Sequence, residues 1–218
     1  MKEKKANIID YTYAKDKRKT IMYEDLIHRL EAFPAGRYGI QDAEDLADKV
    51  LEQFPYPKDA TYVPIVKIAN AFQFKTYKSN SLPSDIAGNI FIGGDTKRDY
   101  AADKVIIVGS DESLAHQRFI VAHELAHYLI DYIGNEQYKD SSVQFSKAYP
   151  KVSHDSPEET RADRFAAELL VPKKLFLKEY KKVMELTGYD KAYAISYLAK
   201  IFGVKESCIS RRIIEVVG

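Results

Sequence analysis

Hydrophobic positions along the chain fall into two periods, and the alternation between them outlines the architecture. From Ala43 to Phe54, the residues Leu46, Ala47, Val50 and Leu51 recur at helical spacing, and Pro55 and Pro57 close the segment. A shorter helix is predicted over Pro64–Ala71, opened by a proline whose missing N–H costs nothing in a first turn. Strand-like pieces follow at Phe72–Tyr77, Asp85–Ile92 and Lys104–Val108, separated by turn-rich segments such as Gly93-Gly94-Asp95. The helical period returns over Ser113–Tyr132, stops at Gly134-Asn135, and resumes over Pro157–Leu170, 173–187, 191–202 and 206–216. Residues 135–156 are polar and aromatic without clear period, a long connection of the kind that is more often functional or mobile than accidental. Residues 1–20 read as a mobile arm and Tyr23–Phe33 as a first helix, broken by Pro34, Gly36 and Gly39. The expected fold class is α+β, with a small sheet of about three strands and a helical remainder.

Composition narrows this picture. The 218 residues are 45% hydrophobic and 30% charged, which suits a globular chain able to bury a sizeable core. The formal net charge of +1 excludes a polycation built for nucleic acid. Its distribution is uneven: residues 1–20 carry 7 basic and 3 acidic groups, residues 21–170 carry 16 and 24, and residues 171–218 carry 10 and 5. Both ends are therefore basic around an acidic middle, as solvated faces or as contacts with an acidic partner. A single cysteine, Cys208, excludes an internal disulfide framework and a cysteine-based zinc knuckle, and its apolar neighbours mark it as a small core residue. No apolar run approaches the ~20 residues that span a bilayer, and no apolar stretch follows the basic N-terminus as in a signal peptide. A cytoplasmic protein without membrane contact is expected.

The chemistry concentrates in His123-Glu124-Leu125-Ala126-His127. On a helix, residues i and i+4 lie one above the other, so two imidazoles at this spacing converge on one metal ion. Zinc accepts imidazole nitrogen and carboxylate oxygen, and the glutamate beside the first histidine is placed to take a proton from a water activated there. Apolar neighbours (Phe119, Ile120, Val121, Leu125, Leu129) put the pair on an inward face or in a cleft, where unpaired imidazoles would be costly.

Catalytic zinc sites use a third protein ligand. His154, Glu158 and Glu159 are the downstream candidates. Glu159, Ala162, Ala166, Leu169 and Leu170 share a helical face that would carry Glu159 inward, with Asp163 one turn further as an acceptor for a ligating imidazole. A competing reading makes Ser156-Pro157-Glu158-Glu159 a capping box that needs no metal. The donor for a developing oxyanion is open among His154, Tyr149, Tyr128 and Arg161.

The stretch Arg118–His127, followed by Glu159-Thr-Arg-Ala-Asp163 and by Phe165-Ala-Ala-Glu-Leu-Leu-Val-Pro172, resembles the ImmA/IrrE family of bacterial metallopeptidases. Asp85-Ile-Ala-Gly88 and Val105–Val108 sit where that family has its small sheet, and the strong part of the likeness covers about residues 85–175. Residues 1–40 show none. Val171 stands where the family often has methionine, away from the proposed ligands. The resemblance implies a minimal zincin-like metallopeptidase domain over residues 41–175, between an N-terminal arm and helix (1–40) and a C-terminal helical segment (176–218). It implies zinc (Zn2+) held by His123, His127 and Glu159, Glu124 as general base, and Asp163 behind the ligands. By the same resemblance the function is a zinc endopeptidase of narrow specificity, a hydrolase whose protein substrate is a helix-turn-helix repressor or antitoxin encoded nearby.

The segment Ala194–Ile213 is similar to a helix-turn-helix. Ala199 sits at the crossing, Gly203 makes the turn, and Val204 and Ile209 fill the space between helices. Ser207, Ser210, Arg211 and Arg212 would then lie on or near the second helix, where groove readers sit. The same residues also suit a hairpin packed on the peptidase part. The alternative function is a non-proteolytic DNA- or partner-binding regulator with a structural zinc, which would have no need of Glu124.

Overall fold

The computed structural model describes residues 7–8, 40–54, 57, 59–133, 135–138, 140, 142–152 and 156–217. The helix expected over 23–33 and His154 lie outside them. Among the described residues the protein is α+β, with eight α-helices and a five-stranded sheet. The helices are α1 (Ile40–Gln53), α2 (Ile65–Ala71), α3 (Thr96–Tyr100), α4 (Leu114–His127), α5 (Pro157–Leu170), α6 (Lys173–Leu186), α7 (Lys191–Phe202) and α8 (Glu206–Val216). The strands are β1 (Asn7–Ile8), β2 (Lys75–Ser79), β3 (Ile86–Ile92), β4 (Lys104–Gly109) and β5 (Phe145–Pro150), in the spatial order β1-β2-β4-β3-β5. No described helix is long and apolar enough to cross a membrane.

The sheet is larger than the three strands expected. β1 is a two-residue strand inside the basic arm, paired antiparallel to β2. β5 lies in the segment that showed no period, antiparallel to β3 at one edge of the sheet. Its inward-to-outward contrast is weak, because Lys147 and Tyr149 share with Phe145 the face that an ordinary edge strand would fill with aliphatics. The five-residue helix α3 also went unread.

β4 explains why the longest apolar run is a strand. It pairs parallel to β2 and antiparallel to β3, and it is buried on both faces. Ile106 and Val108 join Ile90, Ile92 and Ile120 in the main core, while Val105 and Ile107 pack with Tyr77 in a small cluster on the other face. α4 lies directly on the sheet. A Cβ on Gly88 would stand 2.3 Å from Ile120 Cγ2, so only a bare glycine allows that approach.

The C-terminal helices are bonded into the body. At the α7–α8 turn, Gly203 adopts φ 67°, and a Cβ there would meet the Tyr62 ring at 2.6 Å. Arg118 of α4 stacks on that ring at 3.7 Å and donates through Nε to the Gly203 carbonyl (2.9 Å). Arg212 of α8 is 2% exposed. It donates to the Val171 carbonyl through Nε (3.1 Å) and Nη2 (3.0 Å) and forms an ion pair with buried Glu168, whose other oxygen accepts from the Lys173 amide (2.8 Å). Arg212 is therefore an interior strut, which corrects its placement among groove readers. Val204 and Ile209 are buried between the helices as expected.

Removing one partner of a buried ion pair leaves the other charge uncompensated, at a cost of about 3–5 kcal/mol. Arg212→Met is expected to lower unfolding stability by an amount in that range. Adding Glu168→Leu should recover part of it, both measured by urea denaturation.

Candidate metal centre

Both histidines of the motif lie near the C-terminal end of α4, which opens with Ser113 Oγ accepting from the His116 amide (3.2 Å). The helix then widens into a π-turn over Tyr128–Tyr132, closed by Ile133 N–H on the Tyr128 carbonyl (3.0 Å). α5 packs against α4 and carries Glu159 in its first turn. Of the expected capping box only the Ser156 half forms, since the side chain of Glu159 is turned elsewhere. Its amide donates to Ser156 Oγ (3.2 Å) as a cap, while its carboxylate turns to the histidines.

Three donor atoms converge. His123 Nε2 lies 3.0 Å from His127 Nε2 and 2.9 Å from Glu159 Oε2, and His127 Nε2 lies 3.3 Å from Glu159 Oε1. The opposite ring nitrogens are each held by a carboxylate: His123 Nδ1 by Asp163 Oδ1 (2.9 Å) and His127 Nδ1 by Asp131 Oδ2 (2.6 Å). An Nδ1–H donated to a carboxylate leaves the Nε2 lone pair aimed at the shared centre. Asp131 was not read from the sequence, although its position four residues after His127 on the same helical run was the available signal. Lys147 of β5 was missed as well. Its ammonium lies 3.0 Å from Asp131 and 3.8 Å from Glu159, and nothing in an aperiodic segment foretold it.

The electrostatics follow from crowding these groups out of water. Glu124 is 0% exposed, and among the described residues neither of its carboxylate oxygens has a hydrogen-bond partner. Burial pushes its pKa up to about 7, against the opposing pull of His127 and His123. Burial also opposes a charge on His123, but its hydrogen bonds with Asp163 and Glu159 win and hold it up at about 9. For Glu159, burial is outweighed by the two imidazoles, which keep it well below the usual carboxylate range. Two imidazole nitrogens and one ionised carboxylate converge beside a second, fully buried carboxylate, a donor set of the kind that binds divalent cations. His123, His127 and Glu159 thus fit a divalent cation, and the ligand types suit zinc without excluding manganese or iron.

The centre opens on a cleft of about 280 Å3. Of the four candidate oxyanion donors, Tyr149 is the one among the described residues that lines it, its ring edge-on to His123 at 4.6 Å between centroids. Burial, then the Asp163, Glu159 and Glu124 carboxylates, hold its phenol protonated far above the ordinary range. Tyr128 is buried away from this wall, its hydroxyl accepting from Lys104 Nζ (2.7 Å). Arg161 faces Asp131 (3.9 Å) and Glu158 (3.7 Å) instead. His116, unread in the sequence, also lines the cleft, with Nδ1 against Glu112 at 2.5 Å. Cys208 lines it too, but burial pushes its thiol up to about 12, so it is no nucleophile at neutral pH.

His123→Ala is expected to abolish zinc binding in calorimetric titration. Asp131→Asn should weaken it by about 10–100-fold through loss of the carboxylate that orients His127.

Comparison with curated protein sequences returns no match. Among solved structures, a Mycobacterium tuberculosis transcriptional regulator shares the fold, with a TM-score of 0.50 at 17% identity over 90% of this chain. The present chain spans 51% of that protein's length. The model of the Peptidase M78 family, described as the IrrE N-terminal-like domain, matches residues 91–213, more than half of the chain, from the last residues of β3 into α8. The chain belongs to this metallopeptidase family.

Proposed function

We propose that the protein is a zinc-dependent endopeptidase of narrow specificity. The observation that carries this reading is the Glu124 carboxylate, buried and without a hydrogen-bond partner among the described residues, beside three converging donor atoms of which His123 and Glu159 line a cleft. A purely structural site would gain nothing from it and would bear the cost of burying it.

Zinc held by His123, His127 and Glu159 would supply Lewis acidity and lower the pKa of a water toward neutrality. The chain's own residues do the rest. Glu124 takes a proton from the attacking water and passes it to the amine that leaves. Its pKa, lifted by burial, suits a group that must both accept and release that proton. Asp163 and Asp131 fix the imidazole tautomers, and Lys147 balances the negative charge of Asp131 and Glu159. The Tyr149 phenol, protonated throughout, donates to the carbonyl oxygen as it gains charge. β5 is the edge strand of the sheet on this side, and no described strand pairs with its outer edge. It offers an extended peptide a place to add by backbone hydrogen bonding. On family grounds the substrate is a helix-turn-helix repressor or an antitoxin, and its cleavage releases the genes it controls.

The regulator reading finds less support. Arg212, one of the residues it needs on a DNA surface, is a buried strut.

Glu124→Gln is expected to keep zinc at wild-type stoichiometry and lose at least ~100-fold in cleavage of a co-expressed repressor. Full cleavage by this variant would remove Glu124 from the role. Tyr149→Phe should lower kcat by about 100-fold with little change in KM, and an unchanged kcat would move the oxyanion donor elsewhere.

A further inference from the structure

The second helix of the C-terminal pair is a wall of the cleft. Ser207, Cys208, Arg211 and Glu215 of α8 line it, at spacings that share one helical face. The charges on this lining are mostly committed. Glu215 pairs with Arg164 and with Arg212. Lys151, at the end of β5, pairs with Asp111 (2.8 Å) and Glu112 (3.5 Å).

Arg211 differs. Its side chain is 68% exposed, and among the described residues its ion-pair partner is Asp163 Oδ2 at 3.9 Å, too long for a hydrogen bond. The other Asp163 oxygen is already taken by His123 Nδ1. The guanidinium therefore presents a planar fork of donors to the cleft, and among the described residues no hydrogen bond to it is seen beyond the long Asp163 contact, so the fork is free to match a carboxylate.

We propose that Arg211 is the specificity-determining residue of the cleft, receiving an acidic side chain of an extended peptide that lies between α8 and the catalytic centre. The proposal rests on the peptidase reading of this cleft. It assigns the outward face of the helix-turn-helix-like pair to substrate selection. Nucleic-acid phosphate is the competing anion, and it is disfavoured because the face that would read a groove is the one that closes the cleft.

The test uses the full chain carrying Glu124→Gln, loaded with zinc, so that binding is read without cleavage. A library of short random peptides is passed over it and the retained fraction is sequenced. Asp and Glu should be enriched at one position by about tenfold over the same chain with Arg211→Gln. Arg211→Glu should turn the preference toward Lys and Arg. Because Arg211 is exposed, both variants should fold with unchanged thermal stability. Absence of acidic enrichment, an enrichment unmoved by Arg211→Gln, or a library with nothing retained overturns the proposal. So does Arg211-dependent binding of duplex DNA at low salt without peptide preference. Retained acidic peptides that the wild-type chain never cuts would instead sink the peptidase reading and leave the selectivity standing.

Discussion

Two imidazole nitrogens 3.0 Å apart, both facing one ionised carboxylate, cannot share a buried space without positive charge among them. Most of what surrounds the centre answers to that constraint. Asp163 and Asp131 hold the far sides of the rings, so the lone pairs have no choice of direction. The π-turn after His127 keeps Asp131 within reach, and Lys147 crosses from β5 to offset the excess of carboxylates. Hydrogen bonds to Asp163 and Glu159 keep the His123 ring basic despite its burial. A divalent cation would satisfy the three converging donors together.

The parts of this arrangement that follow from local spacing were legible in the sequence. The i, i+4 pair His123 and His127 comes from helical periodicity, which left Glu159 open beside a capping role until the family resemblance favoured it and Asp163, and α5 runs over the residues that the pattern assigned to it. The parts that depend on tertiary crossing were not. β5 carries a lysine and a tyrosine on its inner face because that face borders a polar centre, and this erased the alternation that would have announced a strand. Lys147 was lost with it, and Tyr149 stood as one of four candidate donors with nothing local to single it out. His116 is a different case. Seven residues before His123, it shares that residue's face of α4, but its meaning comes from the cleft that α8 closes over it.

The C-terminal helices show how one supersecondary shape admits two uses. Gly203 in the left-handed turn and Val204 and Ile209 in the crevice between helices reproduce the packing of a helix-turn-helix. What decides the use is the attachment. Arg118 reaches from α4 to the turn, and Arg212 reaches from α8 to the α5–α6 junction, so the pair is held against the catalytic helices on two sides.

Arg211 and Arg212 are neighbours in the chain and point opposite ways, one into solvent at the cleft and one into the interior. One step along α8 thus separates the duty of holding the molecule together from the duty of meeting what enters it. Lineages of this fold can exchange the outer residue and acquire new targets without loosening the anchor beside it. Diversity among relatives should therefore gather on the outer positions of α8 and spare the arginine that faces inward.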